Sequence, residues 1–188
     1  MRFPLLARAL SGAIVAGACA LAQAGTVDVG VDGQWQAFDV DEFMSQSGGL
    51  EWIELDGSAL SFSFTSAVPV WLRVVDGGFS GDVFSVSLDG TLLGQTSGTD
   101  VHSFPDSLGL DFDAAYASAA YSRGQWLLAA GTHVITGTLA ASALVDGQPL
   151  NATVGAIQLS AVPEPAEWAL MLAGLALVAV VKRHAKGS

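Results

Sequence analysis

The chain has 188 residues, with 18 acidic and 7 basic side chains, a net charge of −11 and one cysteine. Between residues 25 and 160 sixteen carboxylates face two bases, Arg73 and Arg123, for a local net charge of −14. So acidic a stretch excludes nucleic acid and anionic membrane surfaces as partners, and favours cations or neutral partners such as sugars.

Residues 1–24 read as a secretory signal: Arg2 and Arg8 supply a positive start, residues 10–21 are apolar and small, and Ala22-Gln23-Ala24 is an A-x-A site. Signal peptidase is expected to cut between Ala24 and Gly25. Lipoprotein processing at Cys19 fits less well, because Ala16 stands where such a motif carries leucine. The lone cysteine leaves with the signal, so the mature chain has no disulfide, thiolate nucleophile or cysteine metal site. Residues 25–160, about 136 in all, suffice for one domain with a core.

Within that domain the periodicity is that of strands. Leu60-Ser61-Phe62-Ser63-Phe64 alternates with period two, and so does Val83-Phe84-Ser85-Val86-Ser87-Leu88. Val70-Trp71-Leu72-Arg73-Val74-Val75 is more continuously apolar, as a central strand is, so Trp71 is expected in the core and Trp126, before Leu127, likewise. Asp89-Gly90 predicts a tight hairpin into residues 91–93, and Asp56-Gly57 and Asp146-Gly147 offer similar corners. Residues 132–139 and 153–159 add two late strands rich in Thr, Val and Ile. Many short strands with Gly-rich turns predict an all-β fold, a single β-sandwich or jelly-roll-like domain. Residues 107–126 stand apart, with alanines, Tyr116 and Tyr121; they read either as a helical turn around 113–120 or as a long loop laid over one end of the sandwich.

Asp76, Asp82, Asp111 and Asp113 are the cluster best suited by type to a metal. Asp76 and Asp82 flank Gly77-Gly78-Phe79-Ser80-Gly81, and calcium takes six to eight oxygens. The plainer reading is that these aspartates hold turns by bonding to nearby backbone. Trp35 and Trp52 sit beside polar residues and are the candidates to stack on pyranose faces, though core packing is the default for tryptophan. Glu51 and Glu54, three apart, read as a solvated pair rather than as glycosidase acids. His133 reads as structural, and His102 beside Ser103 lacks the Gly-x-Ser-x-Gly elbow of a hydrolase. Asn151-Ala152-Thr153 matches a glycosylation pattern by accident of composition.

Residues 168–181 give 14 positions without a charge. As a helix they cover roughly 21 Å, against a hydrocarbon core of about 30 Å. Such a run inserts if Lys182 and Arg183 snorkel and the bilayer thins, with Trp168 at the outer interface. Pro163 and Pro165 stop the helix from extending upstream and leave an accessible segment. Val162-Pro163-Glu164-Pro165, Trp168-Ala169-Leu170, the short apolar run and the Lys/Arg end together resemble the PEP-CTERM sorting signal of Gram-negative bacteria, over about 27 of the 188 residues. That resemblance implies recognition by exosortase, cleavage near Pro163-Glu164-Pro165, and transfer to the cell surface or release alongside exopolysaccharide.

Residues 68–97 also resemble a group of PEP-CTERM exported β-proteins. The matching segments are Val74-Val75-Asp76, Gly78-Phe79-Ser80-Gly81-Asp82-Val83-Phe84-Ser85-Val86, Asp89-Gly90 and Leu93-Gly94-Gln95-Thr96-Ser97. Ser122-Arg123-Gly124 and residues 127–135 look like the group's later block. This resemblance implies an extracellular sandwich without an established activity. The expectation is therefore an exported, non-catalytic surface or matrix protein: a signal helix over residues 1–24, a sandwich over 25–160, and a short C-terminal transmembrane helix within a sorting segment over 162–188. The helix anchors it transiently in the inner membrane. The alternative is a calcium-dependent carbohydrate-binding module; a hydrolase ranks third.

Overall fold

The computed structural model describes residues 25–99, 107–162, 170–171 and 173–175. Ala24, Pro163, Glu164, Pro165, Trp168, Lys182 and Arg183, the expected processing and anchoring residues other than Gly25, lie outside the described residues. Among the described residues no helix is long and apolar enough to cross a membrane.

In chain order the strands are β1 (Gly25–Asp28), β2 (Asp32–Asp41), β3 (Leu60–Ser66), β4 (Val70–Asp76), β5 (Gly78–Phe79), β6 (Val83–Leu88), β7 (Thr91–Gln95) and β8 (Ser107–Gly109). Helix α1 (Phe112–Ala117) follows, then β9 (Arg123–Leu128), β10 (Gly131–Ala141), β11 (Leu144–Val145), β12 (Gln148–Pro149) and β13 (Ala152–Ala161). One sheet has five strands in the order β1-β3-β10-β6-β7, and the other four in the order β2-β13-β4-β9; β5-β8 and β11-β12 are small ribbons. β1 runs parallel to β3, and every other pairing is antiparallel.

The two large sheets face each other across one core. Leu60, Phe62 and Phe64 of β3, Phe84 and Val86 of β6, and Ile135 and Leu139 of β10 enter it from the first sheet. Phe38 and Val40 of β2, Leu72 and Val74 of β4, Leu128 of β9, and Ile157 and Leu159 of β13 enter it from the second. This is a mostly β sandwich, as the alternating pattern required. Asp89 and Gly90 take φ of 50° and 76° and close the β6–β7 hairpin as expected. The Asp89 carboxylate then ties that hairpin to β10, accepting from the Val134 amide (2.8 Å) and meeting His133 Nδ1 (2.7 Å).

Residues 107–126 are not a long loop. They hold β8, α1 and the start of β9, and the helix begins and ends earlier than the alanine content suggested. Asp111 caps it, accepting from the Ala114 amide (3.0 Å). The helix lies on the outer face of the four-stranded sheet, where Phe112, Ala115 and Tyr121 bury Val75 and Ala156 in a second small core. Six residues are too few to cover the whole face.

Candidate functional site

The part of the outer face beside and beneath α1 is built by strand register. Trp35 of β2 pairs with Gln158 of β13, Gln158 with Arg73 of β4, and Arg73 with Gln125 of β9, so the four side chains form one row across the sheet. Arg73 donates to Gln158 Oε1 (3.1 Å), Gln158 donates to the Gly33 carbonyl (2.7 Å), and the Tyr116 hydroxyl donates to Gln125 Oε1 (3.2 Å). The Arg73 guanidinium lies 5.3 Å from the centre of the Tyr116 ring. The next row holds Trp71, half-buried, with Ser160 on one side and Leu127, 57% exposed, on the other. Trp71 is therefore not in the core. Val70, Leu72 and Val74 point inward, and the period of two sends Trp71 and Arg73 outward.

Arg123 takes a different part. Its guanidinium donates to the Tyr116 and Ser118 carbonyls (2.6 and 2.9 Å) and so holds the C-terminal end of α1. Among the described residues the only ion pair joins His133 and Asp89, so neither arginine is matched to a carboxylate despite the acidic composition.

The candidate tryptophans separate. Trp35 is half-buried against Phe112 and Tyr116 (6.2 and 5.7 Å between ring centres) and donates through Nε1 to Asp113 (2.8 Å), with part of its surface open. Trp52 cannot stack on a sugar: it is 0% exposed, lies face to face with Phe38 (4.0 Å) and meets Phe62 and Phe84 edge-on. Space for it comes from Gly137, where a Cβ would overlap the indole. The polar neighbours of Trp52 are surface groups around a buried ring. Glu51 accepts from the hydroxyls of Ser45 and Ser47 (both 2.6 Å), while Glu54 lies against Gly25, in the space a side chain there would need. Gly25, the expected first residue after signal cleavage, opens β1, its N–H donating to the Ala59 carbonyl (2.7 Å).

The four candidate metal ligands are also divided. Asp111 caps α1 and Asp113 binds Trp35, and among the described residues no three His, Cys, Asp or Glu side chains gather as a metal site. Asp76 and Asp82 do meet, both buried at the end of β4. Asp76 Oδ2 accepts from the amides of Gly81 (3.1 Å) and Asp82 (3.2 Å), which is the turn-holding arrangement. Asp82 Oδ1 accepts from the Ala143 amide (2.8 Å).

Burial pushes both acids above the ordinary range. Asp76 rises to about 9, first by loss of water and then by the neighbouring Asp82 charge. At neutral pH Asp76 is therefore held protonated. Among the described residues Asp76 Oδ1 is buried without a hydrogen-bond partner. The two carboxylates by themselves offer fewer oxygens than the six to eight that calcium takes.

A cleft of about 630 Å³ opens on the side of the sandwich where β1 and β2 are the edge strands. Phe38, Ile53, Leu60 and Phe62 line it, and Asp39, Glu54 and Asp56 stand at it. Nothing in the sequence reading pointed to it, because β2 was not recognised as a strand.

No family model matches the chain, and no curated protein matches it. Among solved structures, the pre-peptidase C-terminal domain of a Bacillus anthracis collagenase is similar at 8% identity, covering 73% of this chain and 95% of that one, with a TM-score of 0.35. So distant a likeness identifies no family.

Proposed function

We propose that this chain is an exported, non-catalytic surface or matrix protein, sorted and cleaved by exosortase, that binds neutral exopolysaccharide across its outer sheet face around Trp71 and Leu127. The observation that carries the binding reading is the half-buried Trp71 beside Leu127, one row from Trp35, Gln158, Arg73 and Gln125. An aromatic face offers a platform for pyranose rings, and the exposed Gln125 amide beside it suits sugar hydroxyls. The net charge of −14 between residues 25 and 160 favours a neutral polymer over an acidic one. Export and sorting rest on the sequence of the two ends, above all Pro163-Glu164-Pro165 and the basic residues Lys182 and Arg183.

Native electrophoresis through a gel containing a neutral glucan tests the binding. The protein is retarded, and Trp71→Ala, which leaves the core untouched, migrates as in the empty gel. A wild-type protein that runs freely through neutral polysaccharides removes the binding reading. Replacing Pro163-Glu164-Pro165 by alanines tests the sorting separately: the uncut chain then stays with the inner membrane, and normal processing of that variant counts against exosortase.

A further inference from the structure

β2 is an edge strand whose one sheet neighbour is β13. On its other side Asp39 exchanges bonds with Ile53 (3.2 and 2.8 Å), and the Asp41 carbonyl accepts from the Ser45 amide (2.8 Å). Main-chain groups of alternate residues point the same way in an antiparallel strand. The N–H and C=O of Trp35 and Ala37 therefore also face the open side, and among the described residues they have no main-chain partner there. The cleft of about 630 Å³ runs beside this open stretch. Its floor is apolar and three carboxylates stand at it, Asp39, Glu54 and Asp56, with no lysine or arginine among its lining residues. Leu55, 85% exposed, stands over it.

We infer that this edge accepts an extended peptide segment of alternating apolar and basic residues as an added strand. The segment's backbone pairs with Trp35 and Ala37. Its apolar side chains enter the cleft, and alternation turns its lysines or arginines outward, towards the side of the strand from which Asp39 projects. Charge selects this occupant over a second copy of the chain. Two β2 edges laid together would bring Asp32, Asp39 and Asp41 of each copy against the other, and like charges across strands repel. A short unpaired edge bearing carboxylates also resists self-association.

The test uses a fluorescent eight-residue peptide of alternating lysine and valine, read by anisotropy against the purified protein at low and high salt. Its two controls are a glutamate/valine peptide and a peptide of the same lysine and valine content arranged in blocks. The alternating basic peptide binds, more weakly at high salt, and the controls do not. Ala37→Pro removes one outward N–H at a position where edge strands tolerate proline, and weakens binding about tenfold. Glu54→Gln with Asp56→Asn also weakens binding and flattens its salt dependence. Equal binding of the block peptide overturns the inference. So does unchanged affinity in Ala37→Pro, or, should that variant not fold, in the double carboxylate variant. None of these outcomes bears on glycan binding, which uses the outer sheet face.

Discussion

Asp76 is a carboxylic acid built to stay neutral, and that makes stability depend on pH in an unusual direction. Its folded value of about 9 lies above the ordinary 3.8, so the native state keeps a proton that the unfolded chain releases. The contribution is fully present below the unfolded value, falls as pH rises above it, and is gone once pH passes through about 9. Asp82 is raised too and adds to the same slope. Asp76→Asn, which keeps the shape without a titrating proton, should flatten the fall in melting midpoint between about pH 5 and about pH 9; a slope equal to wild type would mean that Asp76 does not titrate there. Melting with EDTA and then with added calcium should show one midpoint, whereas a rise that follows calcium concentration would make the pair a cation site after all. Packing gives a second residue-scale expectation. Gly137→Ala overfills the space beside Trp52 and should cost about 1–3 kcal/mol in denaturant melts. Trp52 also shows where the sequence misleads, because Glu51 and Glu54 flank it while its burial is decided by Phe38, Phe62, Phe84 and Gly137, far along the chain.

Strands were legible where the alternation was clean. β3, β4, β6 and the late strands β10 and β13 follow directly from their inward Phe, Val, Leu and Ile positions. β2 and β9 escaped for one physical reason: they are the two edges of their sheet, and edge strands carry polar residues in place of a full apolar face. Gln34 and Gln36 in β2, and Gly124 and Gln125 in β9, break the pattern that Phe38, Val40, Trp126 and Leu128 would otherwise show. Helix α1 is a different case, since six residues do not make a stable helix alone and tertiary contacts decide it. Its cap is the part that local chemistry announces. Asp111→Ala should destabilise the domain by about 1 kcal/mol. It should also raise amide exchange in residues 112–117 well before the sheets open, and uniform exchange would show that the helix is held by Phe112 and Arg123 alone.

At the scale of the molecule, composition was a sound guide to class and a poor one to arrangement. A mostly β sandwich follows from periodicity, but which sheet a strand joins depends on pairings such as Asp41 with Ala152, more than a hundred residues apart. The outer face was invisible for that reason: Trp35, Gln158, Arg73 and Gln125 come from four separate strands and meet through register alone. Crowding of unpaired carboxylates has a global effect as well. With −14 net charge between residues 25 and 160, screening should raise the melting midpoint as sodium chloride is added, and a midpoint indifferent to salt would show that the charges are too dispersed to repel. The last strand of the domain is an interior one, because β13 lies between β2 and β4 and bonds to both along nearly its whole length. Tension applied to the chain beyond Ala161 is therefore directed along that strand. It loads two ladders at once in shear, whereas an edge strand would peel open one bond at a time. A domain hung from its C-terminal end is in this way hung from a strand that two neighbours hold.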